Sequence, residues 1–311
     1  MILLDYSQVA ISNLHQQLKQ SKKDPARIVE RRWLAQQNDE EEGEDSGEVN
    51  PPMLRHMILN SIRRINKSFR KRFGQLVIAT DNANYWRKSA FKYYKANRKK
   101  DRDDSGIDWP QVFSILNDLR DEIKENFPYK VMDVPGAEAD DVIGVIAKHF
   151  HEQEGILIVS GDKDFQQLQR YSNVWQYGPV QDKLLMAADP AKFLFEHILH
   201  GDKGDGVPNF LSADDSFIED SATGKKPRQT PIYQVKVDAW YTQKPENFCN
   251  ETMLANYYRN KKLVDLTEIP ADVEAAILAE FSVPPVGAKD KIYGYLVKSR
   301  MRNLLTSIQE F

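Results

Sequence analysis

The sequence predicts an α/β fold in which a mostly parallel central sheet is flanked by helices and followed by a smaller helical domain. Three short apolar runs, residues 2–4, 76–80 and 156–160, are rich in Val, Ile and Leu and are followed by an acid or by Gly-Asp. Runs of this length are typical of strands buried on both faces. Amphipathic patterns lie between them, and strands that alternate with helices form parallel sheets with right-handed connections.

The helices are predicted from apolar residues that recur at helical spacing. In the first part of the chain, this spacing appears at residues 53–73, 111–127 and 140–150. After about residue 190 the strand pattern fades, and helices are predicted at residues 190–200, 246–263, 271–281 and 289–308. We therefore expect an α/β core over residues 1–189 and a helical domain over residues 190–311.

The composition excludes several classes of protein. The chain has 311 residues, of which 41% are hydrophobic and 29% are charged, as in globular proteins. Its one cysteine, Cys249, excludes an intramolecular disulfide and a cysteine-based metal site. The apolar run at the N-terminus is too short for a signal peptide or a membrane span. We expect a cytoplasmic monomer that makes no contact with a membrane.

The net charge of −3 conceals an uneven distribution. Residues 39–48 contain seven acids and no base, which predicts a solvated, disordered loop. A role for this segment as a mimic of nucleic acid is the alternative. Without it, 39 acids remain against 43 bases, so the rest of the chain is basic. A basic remainder favours a partner that carries phosphate groups.

Acidic residues follow the predicted strands. Ligands of parallel sheets bind beyond the carboxyl ends of the strands, so acids there are expected to meet at one edge. Three motifs, PGAEADD, SGDKDF and GDKGD, contribute further acids, and the candidate set is Asp5, Asp81, Glu138, Asp140, Asp141, Asp162, Asp164, Asp202 and Asp205. Mg²⁺ prefers oxygen ligands, and two ions about 4 Å apart can share such a set. We expect two Mg²⁺ ions, with Mn²⁺ able to substitute.

Each acidic motif also has an explanation without a metal. Residues 138–141 lie where a helix begins, residues 201–206 fit a tight turn, and Asp-x-Asp is common in turns and caps. The set as a whole is harder to explain. Two like charges about 5 Å apart repel by roughly 3 kcal/mol at an effective dielectric of 20. The repulsion among five such acids in one place would be as large as the free energy of unfolding of a domain, about 5–15 kcal/mol. Cations must then bind, or the pKa values must rise.

Residues 85–102 form a basic segment that is interleaved with aromatic residues. It contains eight bases and one acid. If the segment is one helix, Arg87, Phe91, Lys95 and Arg98 share a face with Tyr94 beside them. Cations there would neutralise a phosphate, and aromatic rings would stack on unpaired bases. The alternative is an ordinary solvated helix with an aromatic packing stripe.

Four motifs, in order, resemble the signature segments of the 5′-nuclease superfamily. They are YKANRKKDRDD (94–104), PGAEADDVIGVIA (135–147), SGDKDFQQL (160–168) and GDKGDGVP (201–208). The superfamily includes flap endonucleases, the 5′-nuclease domain of bacterial DNA polymerase I and phage 5′-exonucleases. The resemblance covers roughly residues 1–210. It implies a PIN/5′-nuclease-like sheet with a helical arch over about residues 84–108.

A narrower resemblance extends over nearly the whole chain. Segments 55–62, 81–98, 283–298 and 305–311 are similar to the RNase H enzymes of T-even-type bacteriophages. This implies a 5′→3′ exonuclease and flap endonuclease that removes RNA primers and 5′ flaps in lagging-strand replication by two-metal hydrolysis. Branched, nicked or flapped DNA and RNA–DNA duplexes are the expected ligands. Candidate protein partners are the single-stranded-DNA-binding protein and the sliding clamp of a replisome.

The resemblance also implies roles for single residues. It assigns Asp5, Asp81, Glu138, Asp140 and Asp141 to the first metal, Asp202 and Asp205 to the second, and Asp162 and Asp164 to the border of both. Arg87, Lys95 and Arg98 match arch residues that contact the scissile phosphate, Tyr94 matches a stacking position, and Lys92 is a further contact. Gly206 stands where the family has Asn, and residues 209–215 replace a Gly-rich run. We expect Lys225, Lys226 and Arg228 to grip the duplex instead.

Two other functions fit parts of the sequence. A PIN-type ribonuclease has an acidic site on a similar sheet, but it does not explain the basic segment or the GDKGD motif. A catalytically inactive module that binds branched DNA is the other alternative, and the full set of acids argues against it. Cleavage of duplexes with and without Mg²⁺ distinguishes the three.

Overall fold

The computed structural model describes residues 1–23, 48–219 and 224–311. The loop predicted at residues 39–48 lies outside the described residues except for Glu48. Residues 221–223, part of the predicted basic loop near Lys225, also lie outside them. None of the helices in the described ranges is long and apolar enough to cross a bilayer.

Six strands form one sheet, with the order β3-β2-β1-β4-β5-β6. Their bounds are β1 Ile2–Asp5, β2 Leu76–Ala79, β3 Lys130–Met132, β4 Ile156–Val159, β5 Val174–Gly178 and β6 Lys183–Leu185. β1 runs parallel to β4, β4 runs parallel to β5, and β6 is antiparallel to β5. The predicted α/β fold with a mostly parallel sheet is confirmed, and β3, β5 and β6 are strands that the apolar runs did not predict.

Helices form in every predicted segment, but the structure also differs from the prediction. Tyr6–Lys22 and Gln234–Tyr241 are helices that were not predicted, and the single helix predicted at 289–308 ends at Lys298 and is followed by two shorter ones. The helices in the first part of the chain are α1 Tyr6–Lys22, α2 Pro51–Phe73, α3 Trp86–Ala90, α4 Asn97–Asp103, α5 Trp109–Asn126 and α6 Ala139–Phe150. Those that follow are α7 Pro190–His200, α8 Gln234–Tyr241, α9 Pro245–Phe248, α10 Glu251–Val264, α11 Ala271–Ser282, α12 Lys289–Lys298 and α13 Arg302–Leu305. Lys163–Arg170 and Ile308–Glu310 form short 3₁₀ helices.

Side-chain caps fix where several helices begin. The carboxamide or carboxylate oxygens of Asn50, Asp108 and Asp189 accept the backbone N–H three residues later, and each helix has Pro in its first two positions. Such caps accept a hydrogen bond from a backbone N–H that the helix leaves unpaired. Pro is tolerated in these positions because the N–H that it lacks has no partner within the helix. Asn250 caps α10 in the same way, which divides the single helix predicted at 246–263 into α9 and α10.

The described chain divides into two compact units. The first unit comprises Met1–Asp5, Ile78–Lys99 and Met132–Val283, and the second comprises Tyr6–Val77, Lys100–Val131 and Pro284–Phe311. Every residue predicted to bind metal or nucleic acid belongs to the first unit. The predicted boundary at residues 189 and 190 stays a prediction.

Aromatic rings and a half-buried ion pair hold the second unit together. The Phe127 ring centroid lies 5.2 Å from that of Phe311 and 5.3 Å from that of Tyr295. The Tyr295 hydroxyl donates to Glu122 Oε2 over 2.7 Å, and Arg55 donates to the same carboxylate. The packed rings exclude water from these polar contacts, which strengthens them.

Candidate active site

The ends of β1 and β4 place two acids on one hydrogen-bonded turn. Leu4 lies opposite Val159 in the sheet, which brings the next residues, Asp5 and Ser160, together. The Ser160 hydroxyl donates to Asp5 Oδ2 over 3.0 Å and accepts the backbone N–H of Asp162 at 3.1 Å. Asp5 is buried, whereas Asp162 is exposed. The parallel pairing predicted from the apolar runs therefore positions both carboxylates at the same edge.

The first turn of α6 adds three more acids. Asp81, which follows β2, accepts the backbone N–H of Ala139 at 2.9 Å, so the end of β2 holds the start of the helix. The backbone N–H of Glu138 donates to Asp141 Oδ2 over 2.9 Å, which caps the helix from within. Asp140 lies between these anchored residues. The helix start thus has the capping geometry expected of such a sequence and still presents Asp140 to the other acids.

Negative charge is concentrated around Asp140. Burial, and after it the charges of Asp162 and Asp5, raises the pKa of Asp140 well above its usual value. Partial desolvation by the surrounding acids and loops, followed by the charge of Asp164, raises the pKa of Asp162 as well, although its side chain still reaches solvent. When like charges raise the pKa of a carboxylate, a bound cation relieves their repulsion and stabilises the ionised form. The raised pKa values indicate that these acids are close enough to share bound cations.

Arg87 is buried beneath this acidic group. Its Nη1 lies 2.7 Å from Asp141 Oδ1 and 2.9 Å from Glu138 Oε2, and its Nε donates to the backbone oxygen of Leu263 over 2.8 Å. Burial, the largest single effect, lowers the pKa of the guanidinium, but the charges of Asp141, Tyr94 and Glu138 together outweigh it and the pKa is raised. Arg87 therefore stays charged and fixes two of the predicted metal ligands in place.

The predicted arch is two short helices rather than one. Phe91 has an extended backbone after α3, and Lys95 adopts a φ of 55°, so the chain turns between α3 and α4. The backbone N–H of Lys95 donates to the backbone oxygen of Asp205 over 2.8 Å. Phe91 and Tyr94 pack into a buried cluster that includes Phe210. The single helical face predicted for the basic segment is wrong because burial of these rings breaks the helix.

The basic segment contacts the acids through three side chains. Lys95 Nζ donates to Glu138 Oε1 and lies 3.8 Å from Asp205 Oδ2. The Tyr94 hydroxyl donates to Asp205 Oδ2 over 2.8 Å, and Arg98 Nη2 donates to Asp205 Oδ1 over 2.6 Å. Burial, and then Asp205, raises the pKa of Tyr94 well above its usual value, so the hydroxyl remains a donor. These cations and acids form one connected group.

Glycines allow the GDKGD loop to approach the basic segment. Gly206 has a φ of +72°, and a Cβ there would lie 2.7 Å from the backbone oxygen of Tyr93. Gly201, with a φ of +65°, would clash with the backbone oxygen of Val207 at 2.4 Å. Only Gly fits both positions. The replacement of Asn by Gly206 therefore suits the close contact that this structure makes.

Two residues that the sequence did not single out, His197 and Lys163, contact the acids Asp164 and Asp202. His197 Nε2 lies 3.1 Å from Asp164 Oδ1 and 3.9 Å from Asp202 Oδ2. Lys163 Nζ lies 2.7 Å from Asp202 Oδ2. Burial, the largest single effect, raises the pKa of Asp202, but the hydrogen bond and charge of Lys163, with the backbone N–H of Asp205, together outweigh it and the pKa is lowered. His197 had no signal in the sequence, because one histidine among the apolar residues of α7 looks like part of the core.

Comparison with known proteins decides the family. Residues 24–195 match the family described as 5′-3′ exonuclease, N-terminal resolvase-like domain. Residues 191–311 match T4 RNase H, C terminal. Ribonuclease H of Enterobacteria phage T4 is 33% identical over 273 residues, covering 86% of this chain and 89% of that protein. This chain belongs to the 5′-3′ exonuclease family.

Other members of the 5′-3′ exonuclease family and solved structures agree with this assignment. The 5′-3′ exonuclease of Buchnera aphidicola subsp. Schizaphis graminum is 28% identical over 175 residues, covering 53% of this chain and 57% of that protein. The T5 D15 protein, co-crystallised with metal ions, superposes with a TM-score of 0.57 at 15% identity, covering 96% of this chain and 98% of that one. The predicted superfamily and fold are confirmed.

The donor set of this 5′-3′ exonuclease suits a divalent cation. Asp5, Asp140 and Asp162 offer carboxylate oxygens only, which hard ions such as Mg²⁺ prefer. Asp164 Oδ1 is buried, and no described residue forms a hydrogen bond with it. The individual ligand assignments stay predictions, and Glu138 and Asp141 already accept hydrogen bonds from Lys95, Tyr94, Arg87 and Trp86.

The remaining predicted nucleic-acid contacts lie on the surface. Lys92, Lys225, Lys226 and Arg228 are exposed. Lys92 Nζ lies 5.2 Å from the centroid of the Tyr93 ring. The loop beyond Arg228 is anchored, since Gln229 Oε1 accepts the backbone N–H of Asn209 at 2.8 Å. The role of these exposed cations in binding a phosphate backbone stays a prediction.

Proposed function

We propose that this 5′-3′ exonuclease family member is a structure-specific, Mg²⁺-dependent 5′ nuclease. It hydrolyses phosphodiester bonds at 5′ flaps, nicks and RNA–DNA duplexes, and so removes primers and flaps during replication. One observation carries the proposal. Asp140, whose pKa is raised by burial and by the neighbouring acids, lies in an acidic group that the basic segment contacts at Glu138 through Lys95 and Tyr94.

The named relatives support the substrate class. The T4 relative is a ribonuclease H. The T5 D15 flap endonuclease has been crystallised as a pseudo-enzyme-product complex with DNA and metal ions, and it superposes with a TM-score of 0.56 at 14% identity over 96% of this chain and 98% of that one. Zinc has been found bound to T5 5′-exonuclease. A nucleic-acid substrate and divalent cations are therefore the natural expectation for this chain.

Asp5, Asp140 and Asp162, with Asp81 beside them, would hold the cation nearest the reaction. Asp164, Asp202 and Asp205 would hold the other. Divalent cations held there would act as Lewis acids on a phosphodiester and would neutralise the charge that develops on its oxygens. Mn²⁺ would substitute for Mg²⁺, since it accepts the same oxygen ligands.

The chain's own cations would orient the substrate. Lys95 and Arg98 are held by Glu138 and Asp205, and contact with a phosphate oxygen would replace these carboxylates with the substrate. A positive charge placed there stabilises the charge that develops on the phosphate in the transition state. Arg87 is too deeply buried for that contact. It would instead position Glu138 and Asp141.

The proposal extends to the rest of the chain. Residues 190–311 would bind the duplex, with Lys225, Lys226 and Arg228 contacting its backbone. The protein would act as a cytoplasmic monomer, in the host cytoplasm if it is encoded by a phage. The single-stranded-DNA-binding protein and the sliding clamp are its candidate partners.

A labelled 5′ flap tests the proposal directly. Wild-type protein with Mg²⁺ should release the flap, and EDTA should stop the reaction. Asp5→Asn should abolish cleavage and leave binding of the flap within a few-fold, because the amide keeps the shape of the side chain that Ser160 holds at the sheet edge but removes its charge. Asp118→Asn, an exposed carboxylate of the second unit, is the matched control and should cleave normally.

The outcomes also separate the other two functions. Binding without cleavage by the wild-type protein would indicate an inactive module. Preference for single-stranded RNA over the flap would indicate a PIN-type ribonuclease. Full activity of Asp5→Asn would remove Asp5 from the mechanism.

A further inference from the structure

His197 is buried at the edge of the acidic group. It lies on α7 and is 6% exposed, and its ring stacks at 5.7 Å against that of Phe193. The chain has six histidines, all within the described residues, and His197 is the one that is buried. Its Nε2 is directed at two carboxylates, at 3.1 Å from Asp164 Oδ1 and 3.9 Å from Asp202 Oδ2.

Two of these buried atoms have unmet hydrogen-bonding capacity. Within the described ranges, neither His197 Nε2 nor Asp164 Oδ1 has a hydrogen-bond partner, although the two atoms lie 3.1 Å apart. The two atoms can form an ion pair at this distance when Nε2 carries a proton, but no aligned hydrogen bond joins them. A buried polar atom without a good hydrogen bond costs about 1–3 kcal/mol. A ligand that accepts a lone pair from both atoms would remove that cost.

The spacing fits one metal ion. One nitrogen of His197 and one oxygen each of Asp164 and Asp202 all lie within 4.8 Å of one another. Bonds of about 2.0–2.2 Å from a central ion to nitrogen and oxygen ligands place neighbouring ligand atoms roughly 3–4 Å apart. The observed 3.1 and 3.9 Å agree with this range.

We propose that His197 Nε2, with one oxygen each from Asp164 and Asp202, forms a mixed nitrogen–oxygen site for a borderline divalent cation such as Zn²⁺ or Co²⁺. The inference rests on the proposed function, because it gives the second cation position of the nuclease its own metal preference. Imidazole suits Zn²⁺ and the later transition metals, whereas Mg²⁺ takes oxygen ligands. The carboxylates around Asp140 would then prefer a different ion from this site.

Lys163 acts as the counter-ion of the site before a metal binds. Its Nζ lies 2.7 Å from Asp202 Oδ2, and 54% of its side chain is exposed. An exposed lysine can turn away into solvent at little cost, since a surface ion pair contributes at most about 1 kcal/mol. A metal must displace Lys163, so Lys163→Met is expected to tighten metal binding.

Pulsed electron paramagnetic resonance of bound Mn²⁺ tests the ligand set without an activity assay. The wild-type protein should show nitrogen coupling to Mn²⁺, and His197→Gln should lose it. His200→Gln is the matched control, since His200 is exposed three residues further along the same helix and should leave the coupling unchanged. Absence of nitrogen coupling in wild-type protein with bound Mn²⁺ would overturn the inference while leaving the nuclease proposal intact.

Competition for bound Mn²⁺ tests the metal preference. Zn²⁺ should displace the nitrogen-coupled Mn²⁺ at a concentration at least about tenfold lower than Mg²⁺ does. His197→Gln should weaken Zn²⁺ binding at this site by at least about 10- to 100-fold, the loss seen even for outer partners of metal ligands. Equal displacement by Zn²⁺ and Mg²⁺ would contradict the proposed preference.

A second variant protects the test against misfolding. Asp164→Asn keeps the imidazole and the volume of the side chain but removes one charged ligand. It should weaken nitrogen-coupled Mn²⁺ binding, with the far-ultraviolet circular dichroism of His197→Gln and Asp164→Asn unchanged. If both variants fold and both retain the coupling at wild-type affinity, these residues do not bind the metal.

Discussion

Arg87 Nη1 lies 2.7 Å from Asp141 Oδ1, and both side chains are almost completely buried in the first unit. The same guanidinium nitrogen contacts Glu138, so one cation forms ion pairs with two buried carboxylates. Removing the partner of a buried charge typically costs about 3–5 kcal/mol, because the remaining charge is left uncompensated. The pair therefore supports the fold as well as the site.

We accordingly expect Arg87→Met to lower the free energy of unfolding by about 3–5 kcal/mol. Urea denaturation followed by circular dichroism measures the change. Arg98→Met is the control, since 47% of the Arg98 side chain is exposed and its ion pair is worth at most about 1 kcal/mol. A loss below about 1 kcal/mol for Arg87→Met would show that solvent reaches the buried pair.

Lys95→Ala should lower the single-turnover rate of flap cleavage by at least about tenfold, since a charge contact made in the transition state is worth a few kcal/mol. The side chain has one strong partner, Glu138, in the absence of substrate. Rapid-quench kinetics at saturating enzyme gives the rate. Lys298→Ala, an exposed lysine of the second unit, should leave it unchanged. An unaltered rate in Lys95→Ala would favour an ordinary solvated segment.

Asp205→Asn should lose far less rate than Asp5→Asn and should recover measurable cleavage at raised Mg²⁺. Besides its proposed place at the second cation, Asp205 contacts Arg98, Tyr94 and Lys95 and so holds the basic segment, and its loss should change the ratio of flap to exonuclease cleavage. Both variants are to be compared on a 5′ flap and on a nicked duplex over a range of Mg²⁺ concentrations. Equal inactivity at every concentration would mean that the two acidic groups work as one.

Asp140→Asn should raise the melting temperature of the protein in EDTA at pH 7.5. Burial and neighbouring acids raise the pKa of this carboxyl in the folded state, so its ionisation destabilises the fold as pH rises above the ordinary Asp pKa. The substitution removes that penalty. Mg²⁺ should stabilise the wild-type protein and have a smaller effect on the variant. A lower melting temperature for Asp140→Asn in EDTA would contradict this argument.

Cys249 should react slowly with iodoacetamide at neutral pH. Burial, followed by the charge of Glu246, raises the pKa of its thiol to about 11. The thiolate is the reactive form, and each unit of pKa lowers its fraction about tenfold. Alkylation rates measured from pH 7 to pH 10 should rise with pH throughout. Glu246→Gln should raise the rate, and a plateau below pH 9 would show an ordinary thiol.

Much of the site follows from local patterns in the sequence. Apolar runs located β1, β2 and β4, and the rule that parallel strands present their ends together predicted that Asp5 and Asp162 would meet. Capping chemistry at residues 138–141 is equally local. These features depend on neighbours in sequence or on one strand pairing, which explains why they can be predicted.

Contacts between distant residues could not be predicted in this way. Helical spacing placed Arg87 on an exposed face with Lys95, yet Arg87 is buried against Asp141, 54 residues further along the chain. Lys95 takes a positive φ because its backbone bonds to Asp205. His197 becomes chemically notable only when Asp164 and Asp202 fold beside it. Each case depends on tertiary packing, which overrides local preference.

The pairing of Lys95 and Arg98 with protein carboxylates has a consequence for how DNA binding responds to salt. Binding that transfers dissolved counterions from DNA to bulk solvent weakens steeply as salt concentration rises. Here Glu138 and Asp205 already serve as the counterions of these two side chains. Their contact with a phosphate exchanges one anion for another within the complex. The basic residues at the centre of the site should therefore add less to the salt dependence of affinity than exposed lysines such as Lys92 and Lys226.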